Sequence, residues 1–370
     1  MKIVVTGSDG FVGKNLMARL NQLPDLQIEG ITIDTPDSGL NAILRDCSVL
    51  FHLAGVNRPQ NVAEFKEINM DFTQEVVNRL KSLNTFPKII FTSSAQAVSD
   101  NPYGQSKLEG ENVLKNFAQT TNAEVIIYRL PGVFGKWCRP NYNSVVATFC
   151  YNVANNLPVV VNAPEKVIDL VYIDDVCEAF ISNIDSKKLS GKSRFKQVKP
   201  VHSISLQNLS ELIKSFPLMR DNLLAPRVGN ALEKKLYSTY LTYLPENNFN
   251  YPLTLRTDNR GSLFELIKSN DFGQIFLSTT KPGITRGNHY HHTKTEKFCV
   301  IKGEGLIRFR KIDTDLVLEY KVNGDQPSVV DIPPGYSHSI KNIGNEEMIT
   351  LFWANEIFDP NRMDTYFVNV

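Results

Sequence analysis

Cysteine pairing is the first thing this sequence lacks. Its five cysteines, Cys47, Cys138, Cys150, Cys177 and Cys299, are odd in number and contain no C-x-x-C pair. That argues against a disulfide framework and fits a reducing compartment. Charge of one sign is lacking too: 40 Lys and Arg stand against 39 Asp and Glu, a formal net charge of +1. With no basic run, nucleic acid is not an expected partner. No apolar stretch approaches the roughly 18 residues that cross a bilayer. The opening Met1-Lys-Ile-Val-Val-Thr-Gly reads as a strand entering a glycine turn, which leaves no room for a signal peptide. Internal repeats and low-complexity tracts are absent as well. The expectation is a cytoplasmic protein without a membrane partner, acting on small molecules.

What is present divides into two textures. The first part alternates short β-branched runs with amphipathic stretches. Strands are predicted at Lys2–Thr6, Ile28–Asp34, Val49–Ala54, Lys88–Ser93 and Val125–Leu130, and helices at Phe11–Leu23, Ala63–Leu83 and Tyr103–Phe117. Such alternation implies a doubly wound parallel sheet of Rossmann-like α/β type. The segment 244–252, with two prolines and three asparagines, reads as a linker. Beyond it come short strands separated by turns about every eight to twelve residues: Gln274–Thr279, Glu296–Lys302, Leu306–Ile312, Leu316–Val322, Ser328–Ile332 and Met348–Trp353. These imply an all-β second domain over 253–370, after a first domain over 1–243.

The loop Thr6-Gly7-Ser8-Asp9-Gly10-Phe11-Val12-Gly13 follows the first strand and opens the first helix. Gly7 permits a tight turn, Gly10 lets backbone N–H groups approach a pyrophosphate, and Gly13 lets the helix pack closely. Phe11 and Val12 begin the helix whose N-terminus faces that negative charge. Asp34 is read as the end of the second strand, where a carboxylate accepts hydrogen bonds from a ribose diol and favours NADH. Tyr103 and Lys107 stand at i and i+4 on one helical face. Reduction of a ketone needs a proton donor at oxygen while hydride reaches carbon. A tyrosine serves if an adjacent ammonium lowers its pKa from about 10. Ser94, at the end of the preceding strand, is placed to hydrogen-bond the carbonyl.

With these features the first 240 or so residues resemble the extended short-chain dehydrogenase/reductase family of nucleotide-sugar epimerases, dehydratases and reductases. His52-Leu-Ala-Gly55, Asn69, Arg129-Leu-Pro-Gly-Val-Phe-Gly135 and Val171-Tyr-Ile-Asp-Asp-Val176 extend the likeness. The resemblance implies Tyr103 as acid/base with Ser94 as its partner. Gly132 departs from the pattern, since relatives often carry Asn there, and the stretch from Ser94 to Tyr103 is short.

The second domain holds three of the chain's six histidines within 289–292. In an extended segment His289 and His291 share a face, whereas His292 points away. Glu296 opens the next strand and His338 arrives from a paired one. Three imidazoles and a carboxylate suit a first-row divalent ion such as zinc, manganese, iron or nickel, zinc foremost. The spacing Gly283, His289, His291, Glu296, Gly303, followed by Pro333, Gly335, His338 and Asn342, resembles both motifs of the cupin family. That likeness implies a jelly-roll barrel whose metal is catalytic or structural.

The two domains in this order resemble the CapF-type enzymes, which build UDP-N-acetyl-L-fucosamine precursors for capsule and O-antigen. The resemblance implies a UDP-2-acetamido-2,6-dideoxy-hexos-4-ulose substrate, C3 epimerisation by the cupin, and C4 reduction by the first domain to a 6-deoxy-talose sugar. It implies NADPH, against the NADH that Asp34 favours, and a homodimer. Tyr336, His292 and Lys302 remain open as proton carriers. Two other readings stay in view: an epimerase or dehydratase with a cupin that only binds, and a sugar-nucleotide sensor.

Overall fold

The computed structural model describes residues 1–185 and 191–370. They divide into two compact units, Met1–Ile213 with Lys235–Leu244, and Lys214–Lys234 with Pro245–Val370.

In the first unit, strands β1 (Lys2–Thr6), β2 (Gln27–Ile31), β3 (Val49–His52), β4 (Lys88–Ser94) and β5 (Glu124–Leu130) alternate with helices. After β6 (Gly132–Phe134) and β7 (Val167–Tyr172) comes β8 (Lys192–Lys196), which joins the sheet. Its order is β2-β1-β3-β4-β5-β8, with every neighbour parallel. Successive side chains point to opposite faces, and both faces are apolar. Ile3, Val5, Phe51, Ile90 and Ile126 enter one core with Leu16, Leu20 and Phe180. Val4, Leu50, Ile89, Phe91 and Ile127 enter the other with Leu44, Val76, Leu80, Leu114 and Phe117. Burial on both sides explains why these strands read as unbroken apolar runs. The winding reverses between β1 and β3, and that crevice at the carboxyl ends is where such folds bind ligands.

Two expected elements take a different form. The strand expected over Ile28–Asp34 stops at Ile31. Its partner among the described residues, β1, ends opposite at Thr6, where the Gly7 N–H closes the ladder on the Ile31 carbonyl at 2.7 Å. Asp34 therefore stands beyond the strand, exposed in a turn closed by Thr35 N–H on the Thr32 carbonyl. The helix expected over Ala63–Leu83 runs as Ala63–Lys66 and Phe72–Ser82 around a wide π-helical turn, Glu67–Asp71, that carries the buried Asn69. A small sheet ordered β6-β7-β9, with β9 at His202–Ser205, had no local signal.

The second unit carries two antiparallel sheets. One joins β10 (Arg256–Asp258), β11 (Gly261–Ser269), β12 (Gly273–Thr280), β19 (Met348–Ala354), β14 (Glu296–Lys302) and β17 (Val329–Ile332) in that order. The other joins β16 (Val317–Asn323), β15 (Glu304–Lys311), β18 (Tyr336–Asn342), β13 (Thr285–Tyr290) and β20 (Tyr366–Phe367). Phe298, Val300 and Phe352 of the first sheet share a core with Ile307, Phe309 and Ile340 of the second. Residues between them on each strand, such as Lys297, Arg308 and Lys341, face outward. The segment Lys214–Lys234 joins this unit because Leu223 and Ala225 exchange backbone hydrogen bonds with Lys268 of β11 at 2.7 Å each. No helix among the described residues is long and apolar enough to cross a membrane.

Phe352 packs face to face on Phe276 at 4.8 Å and meets Phe298 edge-on at 4.6 Å. Phe352→Ala should destabilise the second unit by about 3–5 kcal/mol. Urea unfolding followed by Trp353 fluorescence, in a Trp137→Phe background, would check this; an unchanged midpoint would contradict the packing account.

Candidate functional site

The glycine loop closes tightly on its surroundings. Gly7 has φ of 64°, and a Cβ there would lie 2.8 Å from the Ala54 Cα after β3. A Cβ on Gly13 would lie 2.0 Å from the Gly7 carbonyl oxygen. Loop, first helix and β3 thus meet at backbone distance, leaving the N-terminus of Phe11–Leu20 open beside Gly10, Phe11 and Val12.

Behind the loop lies a line of buried polar groups. Thr6 Oγ1 accepts from the Leu53 and Ala54 N–H groups, each at 3.1 Å, and pairs with His52 Nδ1 at 2.8 Å. His52 Nε2 pairs with Thr73 Oγ1 at 2.9 Å, and Thr73 donates to the Asn69 carbonyl at 2.8 Å. Burial, aided by the Lys107 charge, pushes His52 down to about 3, so the ring is neutral. Asn69 accepts from the Val56 N–H at 2.9 Å and donates to Ser106 Oγ at 3.0 Å. Ser106 in turn donates to the Tyr103 carbonyl at 2.8 Å.

Tyr103 is the second residue of the helix Pro102–Thr120, which Asn101 caps by accepting from the Gly104 N–H at 2.8 Å. Gly104 permits close packing on the turn after β4: a Cβ there would meet the Gln96 carbonyl oxygen at 2.1 Å. The approach sets the Tyr103 hydroxyl against Ser94. Burial raises the Tyr103 pKa, and the Ser94 hydrogen bond opposes that rise. The sequence reading expected a lowering by Lys107, but desolvation dominates. Lys107 itself is buried and pushed down to about 8. Its ammonium donates to the Thr92 carbonyl at 3.1 Å and sits 5.4 Å over the Phe91 ring. The structure thus brings Ser94, Tyr103 and Lys107 to one sheet edge and leaves Asp34 exposed on its turn.

In the second unit His289, His291, Glu296 and His338 present ligand atoms that all lie within 4.8 Å of one another. His289 pairs across β13 and β18 with His338, after a bulge at Gly287 where Asn288 has φ of 59°. His291 lies one residue past β13, and Glu296 opens β14 in the facing sheet. Nε2 of His291 and Nε2 of His338 each stand 3.4 Å from Glu296 Oε2, and neither has a hydrogen-bond partner. Their Nδ1 atoms are engaged by the Asp364 carbonyl and, at 3.2 Å, the Tyr336 carbonyl. Both Nε2 atoms therefore face the carboxylate. Burial, with His338 and His291 nearby, pushes His289 down to about 4. Burial works against ionisation of Glu296, yet the facing imidazoles hold it well below the usual carboxylate range. Three imidazoles, a carboxylate held ionised and two buried nitrogens without a hydrogen-bond partner fit a divalent ion.

A cavity of about 460 Å³ adjoins this cluster, lined by Glu296, Lys294, Arg256, Asn355 and Asp364 among others. Lys294 stands 3.5 Å from Glu296. Tyr336 lines a different cavity, with Phe309 and Tyr320. His292 packs on Tyr290 and Tyr366, away from the three ligand rings. Lys302, at the far end of β14, is roughly 20 Å along the strand from Glu296. None of these three lines the cavity that Glu296 lines. Lys294 and Asp364 were not singled out from sequence; Lys294, two residues before the carboxylate, was the readable one.

Residues 3–194 match the NAD dependent epimerase/dehydratase family, and residues 256–366 match the polysaccharide biosynthesis C-terminal domain. The chain is 42% identical over 370 residues to the UDP-2-acetamido-2,6-beta-L-arabino-hexul-4-ose reductase of Pseudomonas aeruginosa, covering 100% of this chain and 99% of that protein.

The chain belongs to the NAD-dependent epimerase/dehydratase family.

It is also similar over its whole length to the capsular polysaccharide assembling protein CapF of Staphylococcus aureus, with 45% identity, 100% of both chains covered and a TM-score of 0.93. The UDP-glucuronic acid 4-epimerase of Bacillus cereus, at 18% identity, shares the fold over 66% of this chain and 98% of that one, with a TM-score of 0.55. This member of the epimerase/dehydratase family has Gly132 at an exposed position where an added Cβ would make tight contacts, 3.0 Å to Leu170 Cδ2 and 3.2 Å to the Asp169 carbonyl oxygen.

Because Lys107 titrates near 8, its positive charge is present below that pH and lost above it. We expect kcat/KM for the reduced cofactor, which reports the free enzyme, to fall as pH rises through about 8. Lys107→Arg, charged throughout, should remove that limb. A steady-state profile with the same limb in the arginine variant would contradict the assignment.

Proposed function

We propose that this chain is a two-activity UDP-sugar enzyme of capsular polysaccharide synthesis. On this reading the second unit is a metal-binding cupin that inverts C3 of a UDP-2-acetamido-2,6-dideoxy-hexos-4-ulose. The first unit reduces the C4 ketone to give UDP-2-acetamido-2,6-dideoxy-L-talose. The observation that carries the proposal is one chain holding both a Ser94–Tyr103–Lys107 group at a sheet's carboxyl edge and a buried three-histidine, one-carboxylate cluster. The full-length likeness to a 4-ulose reductase and to CapF supports it.

The chemistry follows from the ketone. A C4 carbonyl makes the C3 proton acidic, so removal and return from the opposite face invert that centre. His289, His291, Glu296 and His338 would hold the ion, which when bound supplies Lewis-acid stabilisation of negative charge on an enediolate oxygen. The cavity beside Glu296 gives the sugar access to that cluster. In the first unit the Gly7–Gly13 loop and the helix starting at Phe11 would bind the pyrophosphate of a nicotinamide cofactor, which supplies the hydride. Ser94 orients the ketone oxygen, and Tyr103, whose raised pKa keeps its proton on at neutral pH, gives that proton to it.

The two activities separate in one experiment. The purified chain is incubated with the UDP-4-keto-6-deoxy sugar and NADPH in deuterated water. The wild-type protein should place deuterium at C3 and oxidise NADPH. Tyr103→Phe should lower oxidation by at least about 100-fold while exchange continues. His338→Ala should lose metal and exchange together while an already epimerised substrate is still reduced. Exchange at the normal rate in folded, metal-free protein would sink the metal-assisted epimerisation.

We take NADPH as the reductant. Asp34, exposed beyond β2, stands three residues past the strand tip at Ile31, where a ribose-binding carboxylate would be expected. Lys14, Arg19 and Arg45 are the cations that could meet a 2′-phosphate: Arg19 lies 3.7 Å from Asp174, while Lys14 and Arg45 are exposed. Steady-state kinetics with both cofactors should show a higher kcat/KM for NADPH. A clear preference for NADH would return Asp34 to the ribose.

A further inference from the structure

The last residues of the chain embrace the histidine cluster from outside. Oδ1 of Asp364 accepts from the His292 N–H at 2.9 Å. Oδ2 accepts from the Thr293 N–H at 2.7 Å, the Lys294 N–H at 2.9 Å and the Thr293 hydroxyl at 3.0 Å. Four donors from three consecutive residues thus converge on one carboxylate. The backbone carbonyl of the same Asp364 takes Nδ1 of His291. Just beyond it, Tyr366 and Phe367 pair with Tyr290 and His289 of β13. The Phe367 ring meets His289 edge-on at 6.1 Å, and the Val368 carbonyl accepts from the Ser337 hydroxyl next to His338. The strap 364–368 therefore touches each of the three imidazoles or its immediate neighbour.

We propose that Asp364 is a positioning residue for the metal centre. Its carboxylate locks the 292–294 turn between His291 and Glu296, and so places its own carbonyl where His291 Nδ1 must donate. The donation fixes the tautomer and leaves Nε2 bare, facing Glu296 Oε2 at 3.4 Å. The His292 ring also packs on Tyr366 of the strap at 4.7 Å, but the hydrogen bonds from the turn to the strap end on that carboxylate. The inference rests on reading the four-residue cluster as a divalent metal site.

The test uses the full chain, stripped of metal, as wild type, Asp364→Ala and Asp364→Asn. Zn²⁺ affinity is measured by competition with a chromophoric chelator, the Co²⁺-loaded proteins by their ligand-field absorption, and the metal-free proteins by thermal unfolding. Asp364→Ala should weaken Zn²⁺ binding by about 10–100-fold, the usual scale for partners that orient a metal-bound histidine. Its Co²⁺ bands should shift while its metal-free melting midpoint stays at the wild-type value. Asp364→Asn keeps one oxygen for Thr293 and Lys294 and should recover part of the affinity. Wild-type Zn²⁺ affinity and Co²⁺ bands in Asp364→Ala would overturn the inference. So would an affinity loss matched by a fall in metal-free melting in both variants, which marks a general structural role. A wild-type chain that binds no Zn²⁺ would overturn the metal reading itself, and the inference with it.

Discussion

Polar groups enclosed beneath a sheet that is covered on both faces must satisfy one another, and in the first unit that requirement admits one arrangement. Thr6 Oγ1 already accepts two backbone N–H groups, so its proton goes to His52 Nδ1. A neutral His52 then carries its hydrogen on Nε2 and donates to Thr73, whose own proton goes to the Asn69 carbonyl. The Asn69 amide continues the line through Ser106 to the backbone of Tyr103. Glycine loop, third strand, π-helical turn and the tyrosine-bearing helix thus share one directional network. Removing any member leaves a buried partner unpaired, at a cost of about 1–3 kcal/mol. The wide turn at Glu67–Asp71 follows from the same demand, since a regular helix would carry Asn69 round to another face.

The cluster in the second unit meets the demand differently. Nδ1 of His291 and Nδ1 of His338 are engaged by carbonyls, whereas their Nε2 atoms face the Glu296 carboxylate at 3.4 Å without a hydrogen-bond partner. The first network is closed, with each donor matched to an acceptor. The second is a set of ligand atoms held together by strands from two sheets, and such a set suits a divalent cation. The bulge at Gly287 makes this possible: a Cβ there would lie 2.7 Å from the His338 carbonyl, so the strands approach at glycine and His289 is turned beside His338.

Local sequence pattern carried much of this architecture. The runs Val49–His52 and Lys88–Ser94 are buried at every position; Val49–Phe51 and Ile89–Phe91 announced it by their apolar content, whereas burial of Lys88, Thr92, Ser93 and Ser94 did not follow from residue type. Strand Glu296–Lys302 was legible to the residue from its apolar run Phe298–Ile301 bounded by charged residues, although the burial alternation breaks after Ile301. That His289, His291, Glu296 and His338 come together was legible from spacing, since side chains on paired strands converge only at fixed intervals. Other features depend on partners far away in the chain. Strand β2 ends where β1 ends, which nothing in Ile28–Asp34 records. The segment Lys214–Lys234 belongs with the second unit through backbone hydrogen bonds to Lys268, which leave no compositional mark. Asp364 acts on residues about seventy positions earlier, and a single aspartate in a tail has no periodicity to reveal it.

Burial also explains how the reductase pair would work under the proposed reduction. Desolvation moves Tyr103 upward and Lys107 down to about 8, so each is biased toward its neutral form. A phenol with a raised pKa keeps its proton until negative charge develops on the ketone oxygen. Once the proton has moved, a phenolate in the same enclosed place is costly unless something compensates it. Ser94 contributes a hydrogen bond to that state, and Lys107, still cationic at neutral pH, stands one turn further along the same helix. The Thr92 carbonyl and the Phe91 ring hold that ammonium in place beforehand. The stabilisation is therefore in place before charge develops on the tyrosine, and the reorganisation that water would need at that moment is avoided.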